Sequence, residues 1–125
     1  MRILLLASML LAATPAFSQS TANFSGIWLT SAGNYISVHQ NGTTFIAATL
    51  GVQPNTGGVW EAMQGTVTGQ TGTANTVYGY VNSTFSIRST SPTTFVATQI
   101  SCFPMVAGYV CAYPNGTQLT ATKVF

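Results

Sequence analysis

The chain has 125 residues, of which 46% are hydrophobic and 11% aromatic, yet it carries one acid, three bases and one histidine. Such a hydrophobic and aromatic content excludes a disordered chain, which needs little of either. The lack of a basic patch excludes a nucleic-acid-binding protein, and a single carboxylate excludes a glycosidase that uses a carboxylate pair.

The first residues have the three regions of a secretory signal peptide. Arg2 supplies a positive charge, residues 3–13 are apolar, and Ala16 and Ser18 are small residues suited to a cleavage site. The apolar run is shorter than the roughly 20 residues of a spanning helix, so we expect no membrane span in the mature form. We predict a signal peptide over residues 1–18 and one all-β domain over residues 19–125, secreted or periplasmic.

The rest of the chain has the pattern of short strands and turns. Runs rich in Thr, Val, Ile, Tyr and Phe are broken by Gly, Asn, Pro and Ser, and no helical periodicity is present. Asn41-Gly42 and Asn115-Gly116 predict hairpin turns, because these residue types accept positive φ. Residues 51–58 are expected to form the longest irregular connection. The predicted strands cover residues 24–30, 35–40, 43–50, 59–64 with a continuation to 69, 76–81, 84–89, 94–102, 109–113 and 118–125.

These runs predict an antiparallel meander of about eight short strands. A meander of this length closes into a small barrel or folds into a β-sandwich. We favour the barrel, because closure removes strand edges that a sheet poor in Lys and Glu leaves open to edge-to-edge pairing. The expected molecule is therefore a monomeric β-barrel.

The mature part contains two cysteines, Cys102 and Cys111. In an oxidising compartment such a pair favours a disulfide bond, which would add about 2–3 kcal/mol of stability. Two buried free thiols are the alternative.

Residues suited to catalysis or metal binding are few. Glu61 and His39 are the groups available for acid–base chemistry, which needs a positioned titratable side chain and often two. A zinc site needs three or four protein ligands, and His39 with two oxidised cysteines cannot supply them. We predict no catalytic residue, no metal, no cofactor and no enzymatic activity; an enzyme centred on Glu61 and His39 is the alternative.

The candidate ligand-binding residues are aromatic. Tyr and Trp often lie half-exposed, where they can stack on a neutral ligand such as a sugar or a peptide. Tyr78 and Tyr80 are expected on one strand face from their spacing of two. Together with Tyr35 and Trp60 they form the predicted binding set, although a place in the core is the alternative for each.

Gly26-Ile27-Trp28 opens the first predicted strand, and Lys123 lies in the last one. This pattern resembles the opening motif of the lipocalin and avidin group of small barrels. The resemblance implies that Trp28 closes one barrel end and that Lys123 packs across its indole face, a contact worth about 0.5–2 kcal/mol. The run from Tyr35 to Gly42, with Trp60 beyond it, is also similar to bacterial secreted Gly-x-Trp β proteins of unknown function.

These features predict a non-catalytic binding protein whose partner is a small ligand or a protein. A lipocalin-like barrel would hold a small apolar or neutral ligand in its mouth. The alternative is a protein-interaction module, either an adhesion-type protein or an inhibitor of a secreted protease. Certain exported metalloprotease inhibitors resemble this chain in their Gly-x-Trp opening and single disulfide, and residues 19–23 would correspond to the segment that enters the protease cleft.

Overall fold

A computed structural model describes residues 20–53 and 57–125. Within them the chain is all-β, and it holds no apolar helix of membrane-spanning length. The predicted signal peptide over residues 1–18 lies outside the described residues and stays a prediction. The strands are β1 (Gly26–Thr30), β2 (Tyr35–Asn41), β3 (Thr44–Gln53), β4 (Gly57–Thr68), β5 (Thr71–Tyr78), β6 (Val81–Ser91), β7 (Thr94–Pro104) and β8 (Gln118–Lys123).

The eight strands form a closed antiparallel barrel. Each strand pairs with the next one in the chain, and β1 also pairs with β8, where Trp28 is opposite Lys123. This closure confirms the predicted barrel and excludes the β-sandwich. Successive side chains point alternately into the barrel and outward, so the inner face of each strand is set by a period of two.

The up-and-down order of the strands places the connections at two ends. Residues 31–34, 79–80 and 105–117 lie at what we call the mouth end. The tight turns at residues 42–43, 69–70 and 92–93 lie at the other end, which we call the closed end.

Four aromatic side chains fill the closed end, and we call them the aromatic plug: Phe24, Trp28, Phe45 and Phe95. Trp28 is only 1% exposed and meets Phe95 edge to face, with the ring centroids 4.7 Å apart. Phe95 meets Phe24 in the same way at 5.5 Å. Such tilted contacts add to the free energy gained by burying the rings. The plug is therefore the main hydrophobic core of the described residues.

The segment that precedes β1 crosses the closed end. The Ala22 N–H donates to the Gly69 carbonyl at 2.7 Å, and the Phe24 N–H donates to Gln40 Oε1 at 2.7 Å. The Gln40 side-chain amide donates in turn to the Ala22 carbonyl at 2.8 Å. Since Ala22 and Phe24 are buried, this segment is part of the fold.

Two predictions about the chain between strands are wrong. Residues 51–58 do not form an irregular connection, because β3 continues to Gln53 and β4 begins at Gly57, with Gly51 paired to Val59; residues 54–56 lie outside the described part. Backbone pairing of the two strands outweighs the local Gly and Pro signals. Residues 109–113 form no strand, because the bond between Cys111 and Cys102 ties this segment to the end of β7.

The strand predicted over residues 76–81 is interrupted by a turn. β5 ends at Tyr78 and β6 begins at Val81, with Gly79 and Tyr80 between them. Gly79 has a φ of 156°, which other residue types rarely adopt. The sequence pattern also missed residues 71–75, where small polar residues pair with β4 and β6.

Candidate functional site

A cavity of about 210 Å³ lies inside the barrel, between the aromatic plug and the mouth end. Its wall is mostly apolar. It is partly open, and Val110 and Tyr113 of the mouth-end loop line it. The apolar lining residues within the strands are Ile36, Val38, Phe45, Ala47, Met63, Ala74, Val81, Phe85, Ile87, Phe95, Ala97, Leu119 and Ala121.

Small inward side chains explain why the barrel has a cavity at all. An eight-stranded barrel is just wide enough for large inward side chains to fill it or for a small ligand to replace them. Here Ala47, Ala74, Ala97 and Ala121 project inward from β3, β5, β7 and β8. Each alanine leaves space where a Leu or Phe would meet the opposite wall.

Polar side chains line the cavity towards the mouth end. Thr30 and Ser83 are buried there, and Asn34, Thr49 and Glu61 are half-buried. The Thr30 hydroxyl accepts a hydrogen bond from the Asn34 N–H at 3.2 Å. The cavity thus has an apolar lower part and a polar upper part.

Gln99 and the disulfide hold the mouth-end loop against the barrel. Gln99 is 2% exposed, and its amide donates to the Tyr113 carbonyl at 2.7 Å. Cys102 and Cys111 are bonded, with their Cα atoms 6.0 Å apart, which confirms the predicted disulfide. Because Cys102, Val110 and Tyr113 line the cavity, this loop forms one side of its mouth.

Glu61 is the only acidic side chain of the whole chain, and it lines the cavity. It projects from β4 opposite Thr49 of β3 in the register. On its other side is Gly79, where an added Cβ would lie only 3.0 Å from Glu61 Cγ. Burial raises the pKa of the carboxyl above its ordinary value of 4.5.

His39 and Glu61 lie on opposite faces of the barrel wall. His39 is exposed on β2, and the register places it next to Ile46 and, beyond that, Gln64. It is thus two strands and three residues from Glu61, roughly 14 Å between Cα atoms from standard strand spacings. The described residues contain no group of three His, Cys, Asp or Glu side chains able to hold a metal ion.

Three of the four predicted aromatic residues lie together, but on the outer wall. The register places Tyr35 beside Leu50 and Leu50 beside Trp60. The Trp60 ring stacks on Tyr78 with centroids 4.8 Å apart. All four side chains are more than half exposed, and we call them the outer aromatic row. Their role in ligand binding stays a prediction.

Tyr80 is separate from that row. The interpretation that Tyr78 and Tyr80 share one strand face is wrong, because Tyr80 belongs to the turn after β5. Its ring stacks on Tyr109 of the mouth-end loop, with centroids 4.1 Å apart and an interplanar angle of 6°. Tyr80 therefore packs the turn between β5 and β6 against the mouth-end loop.

The structure brings Trp28 and Lys123 together at the closed end. Lys123 Nζ lies 5.6 Å from the centroid of the Trp28 ring, and the indole N–H donates to the Phe24 carbonyl at 2.8 Å. Gly26 lies beneath this contact with a φ of 138°, and a Cβ there would lie 2.6 Å from Lys123 Cε. The Gly-x-Trp spacing is thus the one that lets Lys123 cross the indole face.

Sequence reasoning did not predict the cavity wall. Glu61 was predicted only as half of an alternative catalytic pair with His39, and the inward alanines were not among the candidate residues. The alternation along β4 contained a usable signal, because Glu61 shares its parity with Met63 and Val67, both of which are buried. The alanines gave no such signal, since Ala occurs on both faces of strands.

The geometry defines a closed eight-stranded barrel with one packed end and an internal cavity. No protein-family model, curated protein or solved structure matches the chain. The case for its function therefore depends on the cavity and its wall.

Proposed function

We propose that this chain is an exported, monomeric, non-catalytic protein that binds a small apolar or neutral ligand inside its barrel. The observation that supports this most is the cavity of about 210 Å³ with a mostly apolar wall. A barrel of this size whose interior was filled by side chains would have no such site.

The cavity volume limits the ligand to a small molecule. An apolar cavity of about 150 Å³ can hold benzene, whereas sites for drug-sized ligands usually measure about 300–1,000 Å³. A ring with a short substituent therefore suits the space, and a fatty acid chain does not. Burial of its apolar surface would supply most of the affinity, at about 25 cal/mol per Å².

The contacts at the mouth end indicate that the binding site is already formed in the free protein. The disulfide and the Gln99 hydrogen bond hold the loop of residues 105–117 to β7. The stacked rings of Tyr80 and Tyr109 hold it to the turn between β5 and β6. A wall ordered in advance reduces the entropy lost on binding.

A pair of substitutions on β3 tests this proposal. Ala47→Phe places a ring in the cavity, whereas Ala48→Phe places the same ring on the exposed outer face. We expect Ala47→Phe to weaken binding of benzyl alcohol at least tenfold and Ala48→Phe to leave it unchanged, as measured by titration calorimetry. No binding to the unsubstituted protein, or equal loss in both variants, would contradict a site inside the barrel.

The outer aromatic row supports a second candidate, a protein-interaction or adhesion-type module. Its four exposed side chains span neighbouring strands and could stack on a sugar or a peptide. A loss of binding only in Ala48→Phe, which lies beside this row, would favour it. The inhibitor version has less support, because Ala22 and Phe24 are buried at the closed end and do not project from the barrel.

A further inference from the structure

Glu61 gives the cavity a property that a purely apolar site lacks. A carboxylate in a largely apolar site is costly unless a cation or hydrogen-bond donors face it. Among the described residues, the side chains that line the cavity with this carboxyl carry no positive charge, and Glu61 lies opposite Thr49 and against Gly79. Two carboxylate oxygens are therefore available to a molecule in the cavity.

Among the described residues, the rest of the cavity wall carries no positive charge. Arg88, Lys123 and His39 are not among the residues that line the cavity, and Lys123 instead lies over Trp28 at the closed end. Besides Glu61, Tyr113 is the one lining side chain that can titrate, since Cys102 is in a disulfide. Tyr78 and Tyr80, next to the Gly79 turn, stack on Trp60 and Tyr109.

Neutral hydrogen-bonding groups surround the same part of the cavity. Thr49 is opposite Glu61 in the register, and Asn34 and Ser83 also line the wall. A primary ammonium group carries three donors, so one can bind the carboxylate while the others meet a hydroxyl or amide oxygen. An anion would meet the negative charge of Glu61 in a site of low dielectric.

From this arrangement we propose that the ligand is a small primary or secondary amine on an apolar body, with its ammonium group bound by the Glu61 carboxylate. The apolar body occupies the lower part of the cavity, between Phe45, Phe85 and the inward alanines. This inference rests on the proposed function, whose cavity it uses. It keeps the apolar body of that ligand but replaces a neutral ligand with one that carries a positive charge.

Three probes of nearly equal size test the charge preference: benzylamine, benzyl alcohol and benzoate. We expect benzylamine to bind most tightly and benzoate most weakly. Glu61→Gln, which keeps the shape of the side chain, should weaken benzylamine binding roughly 10- to 100-fold, the loss expected for a hydrogen bond between charged groups. Binding of benzyl alcohol should change less than about threefold, because a neutral amide can still pair with a hydroxyl.

A second substitution controls for the net charge of the chain. Gln64 is exposed on the same strand as Glu61. The double variant Glu61→Gln with Gln64→Glu restores the net charge but places the carboxylate on the outer wall. We expect it to bind benzylamine as weakly as Glu61→Gln alone. Recovery of affinity would show that long-range charge, and not contact with Glu61, attracts the amine.

The carboxyl can also be observed directly. Because the chain has one Glu and no Asp, protein labelled with carbon-13 at the Glu carboxyl gives one side-chain resonance. Benzylamine should lower the pKa of Glu61, and its affinity should fall as the pH drops through that pKa. Benzyl alcohol should show neither effect.

The outcomes separate this inference from the proposed function. If all three probes bind alike and Ala47→Phe weakens them all, the cavity is a binding site but the preference for an amine is wrong. If Glu61→Gln leaves benzylamine binding and its pH dependence unchanged, the inference fails in the same way. If none of the probes binds, or Ala47→Phe has no effect, the cavity site itself is wrong.

Discussion

The closed end and the mouth end are built from the same eight strands, yet their interiors differ. At the closed end four aromatic rings and Val67 fill the barrel, and Trp28 and Val67 are each 1% exposed. Above the plug the inward positions carry alanines and, towards the mouth end, short polar side chains, and a cavity of about 210 Å³ remains.

The contrast between the two ends explains how a chain of modest size can both fold and keep a cavity. Close packing supplies stability at one end, where large rings meet at van der Waals distance. At the other end the backbone hydrogen bonds of the barrel and a covalent bond keep the wall in place. We therefore expect changes at the closed end to affect stability and changes at the mouth end to affect mobility and binding.

The largest expected loss of stability comes from substitution of Trp28, and substitution of Trp60 serves as its comparison. Trp28→Ala should lower the free energy of unfolding by about 3–5 kcal/mol, because it opens a cavity in the aromatic plug. Trp60→Ala removes a ring that is 52% exposed in the outer aromatic row, and should cost about 1 kcal/mol or less. Urea unfolding followed by circular dichroism measures both. Equal losses would mean that the closed end is not the main source of stability.

Removal of the disulfide tests whether the mouth-end loop can become mobile while the rest of the barrel stays folded. The bond joins residues nine positions apart, so Cys102→Ser with Cys111→Ser should cost about 2–3 kcal/mol. Amide hydrogen exchange should become faster over residues 105–117, while the exchange rates of the buried residues Val67 and Ile87 should stay unchanged. Faster exchange throughout the barrel would show instead that the two ends unfold as one unit.

The smallest expected change in stability comes from Glu61→Gln, and it depends on pH. Burial raises its pKa in the folded state, so the folded state binds the proton more tightly than the unfolded state does. Its contribution to stability is therefore complete at a pH below the unfolded pKa and is lost as the pH rises through the folded pKa. We expect Glu61→Gln to be more stable than the unsubstituted protein at about pH 8, with the difference lost near pH 4. Contact with solvent keeps the effect modest.

Thermal unfolding of both proteins across this pH range measures that difference. The comparison removes the contributions of all other titrating groups, because they are common to both proteins. A Glu61→Gln variant that is less stable at high pH would mean that the carboxylate has a stabilising partner in the barrel.

Much of the architecture could be predicted from the residues, because it depends on local patterns. Alternating runs and turn signals predicted the all-β meander, and two cysteines in a chain predicted to be exported favoured the disulfide. Errors arose where pairing or a single glycine decided the outcome, as with the extension of β3 to Gln53 and the turn at Gly79.

The candidate site was less predictable. The aromatic residues were selected for their chemistry, and the structure places three of them on the outer wall. The cavity depends on which side chains face each other across the barrel, and those side chains lie on strands far apart in the sequence.

The sequence by itself determined most of the strands, the fold class and the pair of cysteines, since period-two alternation and turn residues act over a few neighbouring positions. Only the tertiary structure decided that Phe24, Trp28, Phe45 and Phe95 meet at one end while the inward alanines leave a cavity near the other. Closure of the barrel is the physical reason, because it brings distant strands together and thereby sets how much of the interior their side chains can fill. The same closure places the chain's only acidic side chain in the wall of that cavity.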